Sequence, residues 1–473
     1  MNLIDLNPVM FRLSSLLTDY FPGAGKHFLN FLATTLVFNK WNINRIIKKY
    51  KKKLRRLKKF DKILVISDFN LGDAVYIQST ITALREYFPS AEIDFIFNPL
   101  VKDLINGNPN ITNLYPVLSK KSFPAKEDYE TIKKIIDKNN YDLVFSFCAF
   151  LNMFKILTKE QKKRYISHLV PVLTVLKNSY YPENICNSVF NCYSFIHTLF
   201  SSVDTIQSQN KLIVTSSEQG KNDSFFDTLS LNKFSGVSVY ISDSTFKEAK
   251  NIFFNLIQKD KICTEAEKNG KLKRPVIIIY NPDTNSRFTR IPLDYQFNLI
   301  RHILCLRSNI KFFFGDGLNK NKTEDKIIEM LTTLERETVL RIPAPIPLDV
   351  YTAFIDYADI FITGDTGPLH AAAANKVSKN YELRNKTAVF SIFGVTEGRI
   401  YGYDSYKRGY FRSNQKAPSY VYSSKSRCRN YSCQNKIMKT CREVKCFEYL
   451  DIDKIMKEIT QYISSLEDSV ENL

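Results

Sequence analysis

Acidic residues are in deficit: the 473-residue chain carries 48 Asp and Glu against 67 Lys and Arg, a formal charge of +19. A surface of that sign favours anionic partners such as nucleotides, phosphorylated glycans, nucleic acid or acidic lipid. Glycine (15) and proline (17) are sparse, which excludes collagenous and low-complexity classes. Long uncharged runs are missing from the amino-terminal forty residues. Arg12, Asp19, Lys26 and Lys40 interrupt the apolar patches there, and the run His27–Asn39 is too short to span a bilayer. A basic start followed by an apolar core and a small-residue cleavage site is also missing, so the expected location is cytoplasmic. No short-period repeat is evident. What is present is globular: 44% hydrophobic and 13% aromatic residues offset chain entropy, and the length suits two or three domains.

Acids are missing most completely between Arg45 and Lys59, where ten residues are Lys or Arg, about half of the whole surplus. Ile43, Ile46, Ile47, Tyr50, Leu54 and Leu57 recur at helical spacing among them, which predicts a basic amphipathic helix. Two readings stand side by side. The helix attaches to an anionic membrane face, with Lys48, Lys52, Arg55 and Arg56 over the headgroups and the protein peripheral on the inner face of the cytoplasmic membrane. Alternatively it is a solvated helix packed on the body.

After Phe60 the pattern becomes one of alternating strands and helices. Lys62–Ile66 reads as a buried strand, 74–88 as a helix, and Ile93–Phe97 as the next strand, a crossover typical of parallel sheets. A helix over 128–138 and a strand over 141–147 follow, and 150–202 reads as mixed helical sequence. A polar stretch near 216–233 marks a boundary. A second alternation then begins with a short strand at 237–240, a helix capped by Ser244, and the apolar strand 275–280. It continues with a helix over 293–305, a strand at 310–314, a helix over 324–334, a strand at 360–362, a helix over 370–374 and a strand at 387–393. The expected organisation is a helical extension (1–60), a first α/β domain (61–236), a second α/β domain (237–449) and a terminal helix (450–473) returning toward the first domain. Two α/β lobes facing across a cleft would bind ligands at the carboxyl ends of their strands.

Three segments at such strand ends carry candidate chemistry. Asn70-Leu71-Gly72-Asp73 follows the first strand; Gly72 permits close backbone approach, and Asp73 can accept a proton from a bound hydroxyl or simply cap the helix. Thr363-Gly364-Asp365-Thr366-Gly367-Pro368-Leu369-His370 leads from a strand into an Ala-rich helix. Its exposed N–H groups suit a diphosphate, Thr366 adds a hydroxyl, and His370 either reaches the phosphate or packs against the sheet. Asn281–Pro292 sends Arg287 and Arg290 out of a strand end, as phosphate clamps or as solvated surface residues.

Taken in order, these motifs resemble glycosyltransferase family 9, the bacterial heptosyltransferases. Leu71-Gly72-Asp73, Leu84-Arg85, Phe88-Pro89, Ala91-Glu92-Ile93-Asp94 and Gly107-Asn108-Pro109 are similar to the family's amino-terminal signature. Asp365-Thr366-Gly367-Pro368-Leu369-His370 is similar to its donor-binding segment, and Phe393-Gly394-Val395-Thr396-Glu397 with Tyr401-Gly402 to the strand and loop that follow. The resemblance implies a GT-B fold and inverting transfer of a sugar, commonly heptose, from a nucleotide-diphosphate donor to a surface glycan such as lipopolysaccharide core. ADP-heptose is the implied donor, a glycan or lipid-linked glycan the acceptor, and no cofactor is required for transfer. Asp73 becomes the general base, with Arg287, Arg290, Asp365, Thr366, Gly367 and His370 on the donor and Asn70 and Gly72 in the acceptor-side loop. Where many relatives have Lys near a Trp-Pro pair, this chain has Arg290-Ile291-Pro292, and Asp68-Phe69-Asn70 replaces the usual small pair before Leu-Gly-Asp.

Cys428, Cys433, Cys441 and Cys446 are spaced loosely enough to be either tetrahedral ligands for structural zinc or iron or plain thiols. Two other function classes are compatible with the sequence. A binding-only, lectin-like relative would hold a sugar nucleotide or glycan without turnover, and a nucleic-acid-binding protein would act through the basic helix. No nucleic-acid module accompanies that helix, so nucleic acid ranks last.

Overall fold

The computed structural model describes residues 48–67, 71–117, 126–147, 153, 156–167, 196, 199–200, 237–258, 275–282, 284, 289–306, 310–315, 322–394, 396, 398–407, 410, 412–424 and 445–468. The chain divides after Val237 into two compact units. Among the described residues no helix is long and apolar enough to cross a membrane.

The first unit is built on β1 (Lys62–Ile66), α1 (Leu71–Tyr87), β2 (Glu92–Phe97), α2 (Lys102–Ile105), β3 (Asn113–Pro116), α3 (Lys126–Asn139), β4 (Leu143–Ser146), α4 (Lys159–Lys163) and β5 (Tyr165–Ser167). Its sheet runs β3-β2-β1-β4-β5 and every neighbouring pair is parallel. Leu64, Ile66, Ile96 and Val144 on one face close over Ile132 and Ile136 of α3. β1, β2 and β4 are almost wholly buried, as strands covered on both faces must be, which is why they read as continuous apolar runs, whereas the edge strand β3 is exposed or half-buried.

The second unit comprises β6 (Ser238–Ile241), α5 (Asp243–Gln258), β7 (Val276–Asn281), α6 (Leu293–Leu306), β8 (Ile310–Phe314), α7 (Lys322–Met330), α8 (Thr333–Glu337), β9 (Val339–Arg341), α9 (Leu348–Ile355), β10 (Ile360–Thr363), α10 (Gly367–Ala373), β11 (Asn375–Ser378), β12 (Ala388–Phe393), α11 (Gly398–Tyr401), β13 (Ser419–Ser423) and α12 (Ile452–Asp468). Its main sheet, β13-β12-β10-β7-β8-β9, is also parallel throughout. β6 pairs with β11 in a separate two-stranded ribbon, because β11 supplies a parallel partner outside the main sheet. The cap of α5 is Ser242 rather than Ser244: its hydroxyl accepts from the Thr245 N–H at 3.1 Å. The expected helix over 324–334 is two helices, since Thr332 and Glu335 form a reciprocal capping box that starts α8.

The last helix, α12, buries Ile455, Ile459 and Ile463, four residues apart, in the second unit's core with Ile278, Ile362 and Phe390. Each such isoleucine is worth about 1.5–3 kcal/mol of burial. Tyr422 donates to Glu458 of this helix at 2.6 Å, a bond that fixes its rotation.

Both sheets reverse winding direction at one point, between β1 and β4 in the first and between β7 and β10 in the second. Both pin that point with the same device. Asp142, just before β4, accepts from the N–H groups of Asp61 and Lys62 at the start of β1 (3.0 and 3.1 Å). Asp359, just before β10, accepts from the N–H of Ile277 in β7 (2.9 Å) and is held by Arg384 (2.6 Å). The amino ends of the paired strands are thus tied together by carboxylates. Their carboxyl ends, where the candidate residues lie, are the crevice in which open α/β sheets bind ligands.

Residues 48–54 are helical, and the helix packs on the first unit. Tyr50 and Leu54 are buried, and Lys53 donates to the carbonyls of Lys162 (2.8 Å) and Tyr165 (2.6 Å). The apolar face that membrane insertion would use is therefore occupied over these residues. Ile43, Ile46 and Ile47 lie outside the described residues.

Candidate functional site

The second unit's crevice is organised by Asn281, the polar end of the apolar strand β7. It is 1% exposed, and its Nδ2 donates to the hydroxyls of Thr363 (3.1 Å) and Thr366 (3.3 Å), which also share a hydrogen bond of 3.0 Å. One carboxamide thereby joins the end of β7, the end of β10 and the cap of α10. Thr366 is that cap: its backbone is extended and its Oγ1 accepts from the Leu369 N–H at 3.4 Å. Pro368 follows within the first turn, where a missing N–H costs nothing.

The loop after β7 closes on the same place. Thr284 and Thr289 share a hydroxyl–hydroxyl bond of 2.7 Å, and Arg290 Nη2 donates to the Thr284 carbonyl at 3.4 Å. A methyl group added at Gly364 would meet the Thr284 methyl and the Thr289 carbonyl at 3.5 Å and the Ile392 carbonyl at 3.7 Å. The ends of β7, β10 and β12 therefore converge on Gly364. Arg290 is half-buried within this convergence; Arg287 lies outside the described residues.

Asp365, Thr366 and Gly367 line the turn, each half-buried. Burial raises the Asp365 pKa above the usual carboxylate range, while the neighbouring Thr396 hydroxyl pulls it down. His370 has the packed position of its two readings. It is 4% exposed, its Nδ1 shares a 3.0 Å hydrogen bond with the Tyr403 hydroxyl, and burial lowers its pKa to about 3. It is a neutral imidazole that fixes α10 against the 398–405 loop.

The far end of α10 is held by groups that sequence reading passed over. Buried Lys376 donates to the carbonyls of Ala372 (3.2 Å) and Ala374 (3.4 Å), and Gln415 Nε2 donates to the latter at 2.5 Å. A cation at a helix carboxyl end is favourable, and burial lowers this one's pKa to about 8. Asn281 was passed over as well, although a polar residue closing the run Val-Ile-Ile-Ile-Tyr was its signal.

In the first unit Gly72 and Asp73 lie in the first turn of α1, directly beyond β1 at the winding reversal. Asn70 and the Asp73 side chain lie outside what the structure describes. The rest of the amino-terminal signature has a structural explanation. Arg85 donates to the carbonyls of Phe88, Pro89 and Ala91 (3.3, 2.8 and 2.7 Å) and to that of Asn110 (2.9 Å). Asn108 reaches back to Gln78 at 3.2 Å. These bonds tie the middle and carboxyl end of α1 to the segments 88–91 and 108–110.

Cys446 sits in the turn 445–447 and packs against the second core, whereas Cys428, Cys433 and Cys441 lie outside the described residues. Among the described residues no cluster of three metal-ligating side chains is present.

No curated protein matches this chain. Solved structures similar to it include the glycosyl transferase family 9 protein from Veillonella parvula, 13% identical over 77% of this chain and 86% of that one, with a TM-score of 0.46. They also include the Escherichia coli ADP-heptose LPS heptosyltransferase II, 13% identical over 86% and 99% at 0.48. A third is the iron-containing dodecameric glycosyltransferase TibC of enterotoxigenic E. coli, 9% identical over 88% and 78% at 0.41. The family model of glycosyltransferase family 9 (heptosyltransferase) matches residues 245–383, from α5 to just past β11, and so spans both strand-end segments that meet at Asn281. By that match residues 245–383 of the second unit are similar to glycosyltransferase family 9 (heptosyltransferase).

Proposed function

We propose that the protein transfers a sugar, heptose by family, from a nucleoside-diphosphate donor to a hydroxyl of a bacterial surface glycan, with inversion at the anomeric carbon. The observation that carries this reading is the family match across 245–383, which contains the whole β7–β10 crevice. The donor diphosphate is held there by the N–H groups and hydroxyl of the Asp365–Gly367 turn, with Arg290 and Arg287 supplying positive charge. Asp73, at the corresponding reversal of the first sheet, takes the proton of the acceptor hydroxyl as its oxygen attacks the anomeric carbon. The bond from that carbon to the diphosphate breaks on the opposite side, and the leaving charge stays on the phosphate. Written this way, the displacement needs no metal at the reaction centre. His370 acts through packing, not by touching phosphate.

The test is a thermal-shift screen against ADP-, GDP- and UDP-linked sugars, followed by mass spectrometry of a glycan extract incubated with any stabiliser. The expected result is stabilisation by an ADP-linked sugar together with a mass gain of one sugar in the extract. Stabilisation without mass gain from any acceptor would favour the binding-only relative, and indifference to every donor would remove the donor-site assignment.

A further inference from the structure

The basic helix retains a charged face after its apolar face has been buried. Nine of residues 48–59 are Lys or Arg and none is acidic. Lys48, Lys52, Arg56 and Lys58 are exposed, while Tyr50 and Leu54 point inward. The bonds from Lys53 to the carbonyls of Lys162 and Tyr165 bring a second basic run alongside, Lys159 to Arg164, of which Lys159 and Lys163 are exposed. Nearby acids are already engaged: Glu160 pairs with Lys163 at 2.5 Å, Asp137 with Lys133 at 2.5 Å and with Gln161 at 2.8 Å, and Asp61 with Lys59 at 3.4 Å. Burial first, and then the like charge of Lys49, lower the Lys53 pKa to about 8.

The mode of binding follows from what this surface lacks among the described residues. An inserting helix needs free apolar side chains, and here Tyr50 and Leu54 are spent on the body. A surface for single-stranded nucleic acid needs aromatic rings on which bases stack. The adjacent Phe60 ring instead packs with Phe88 and Phe200, at 4.9 and 6.0 Å between centroids. We propose that residues 48–59 and the α4 segment form one composite cationic surface that adsorbs electrostatically, without insertion, to an anionic lipid bilayer. This inference goes beyond the transferase reading and does not rest on it.

The full-length protein is sedimented with vesicles of phosphatidylcholine alone and of phosphatidylcholine mixed with phosphatidylglycerol. Binding is expected only to the mixed vesicles, and release is expected at high salt, where screening shortens to a few ångströms. Charge reversal by Lys48→Glu, Lys52→Glu, Arg56→Glu and Lys58→Glu together should weaken binding by about tenfold or more. The same reversal at Lys247, Lys326 and Lys416 of the second unit should leave it unchanged, with unaltered circular dichroism confirming that both variants fold. Salt-resistant binding, or equal binding to neutral vesicles, would mean insertion and overturn the proposal. So would failure to bind either vesicle, or displacement from the mixed vesicles by single-stranded RNA at matched phosphate concentration.

Discussion

Asn281 shows how one side chain can set a site without chemistry of its own. Its carboxamide holds Thr363 and Thr366 within hydrogen-bond reach of each other, so the turn that presents Asp365 and the α10 cap is fixed to the neighbouring strand. Removing a buried partner of this kind leaves polar groups unsatisfied and costs about 1–3 kcal/mol. Asn281→Ala should therefore melt several degrees lower and raise the donor KM about tenfold, with kcat changed much less, because the turn rather than the reacting atoms is displaced. Initial rates at varied donor concentration check this; an unchanged KM would make Asn281 a residue of the core alone. His370 is the converse case. As a lone histidine in sequence it reads equally as phosphate contact or packed residue, and only the Tyr403 hydrogen bond and its burial assign it to packing.

Among the elements, the strands buried on both faces were legible, and of the edge strands β6 was read while β9, β11 and β13 were not. β1, β2, β7, β8, β10 and β12 are runs of apolar residues, and parallel strands between two helical layers have to be. β9, β11 and β13 are short or partly polar; in β11 even a lysine is buried, its charge held by the carbonyls of Ala372 and Ala374 at the end of α10. The break between α7 and α8 was in the sequence as Thr332-x-x-Glu335 and was hidden by the apolar periodicity running through it. Among the family-like motifs, Gly394 has a packing reason. A methyl group there would lie 2.4 Å from the Phe447 ring, which seals the end of β12 with the turn preceding α12. Gly394→Ala should cost about 1–3 kcal/mol through overpacking. In a Phe447→Leu background the same change should cost distinctly less, and equal costs in the two backgrounds, by denaturant melts, would show that the ring is not the obstacle.

At the scale of the whole molecule, the chain is two α/β units, each with a parallel sheet, a single winding reversal, and an aspartate pinning the amino ends of the strands on either side of it. The strand order that creates those reversals was not readable, because it depends on which strands pair and not on what each contains. The loops at their carboxyl ends were readable, because Gly, Asp, Thr and Arg cluster there between apolar runs. The central claim assigns proton removal to the first unit's loop and donor binding to the second unit's. Its most direct test compares wild type with Asp73→Asn in one assay, with mass spectrometry of the acceptor glycan for transfer and donor-induced thermal stabilisation for binding. Equal stabilisation of both proteins, with transfer by the variant reduced at least about a hundredfold, is the predicted result. Undiminished transfer by Asp73→Asn would contradict it.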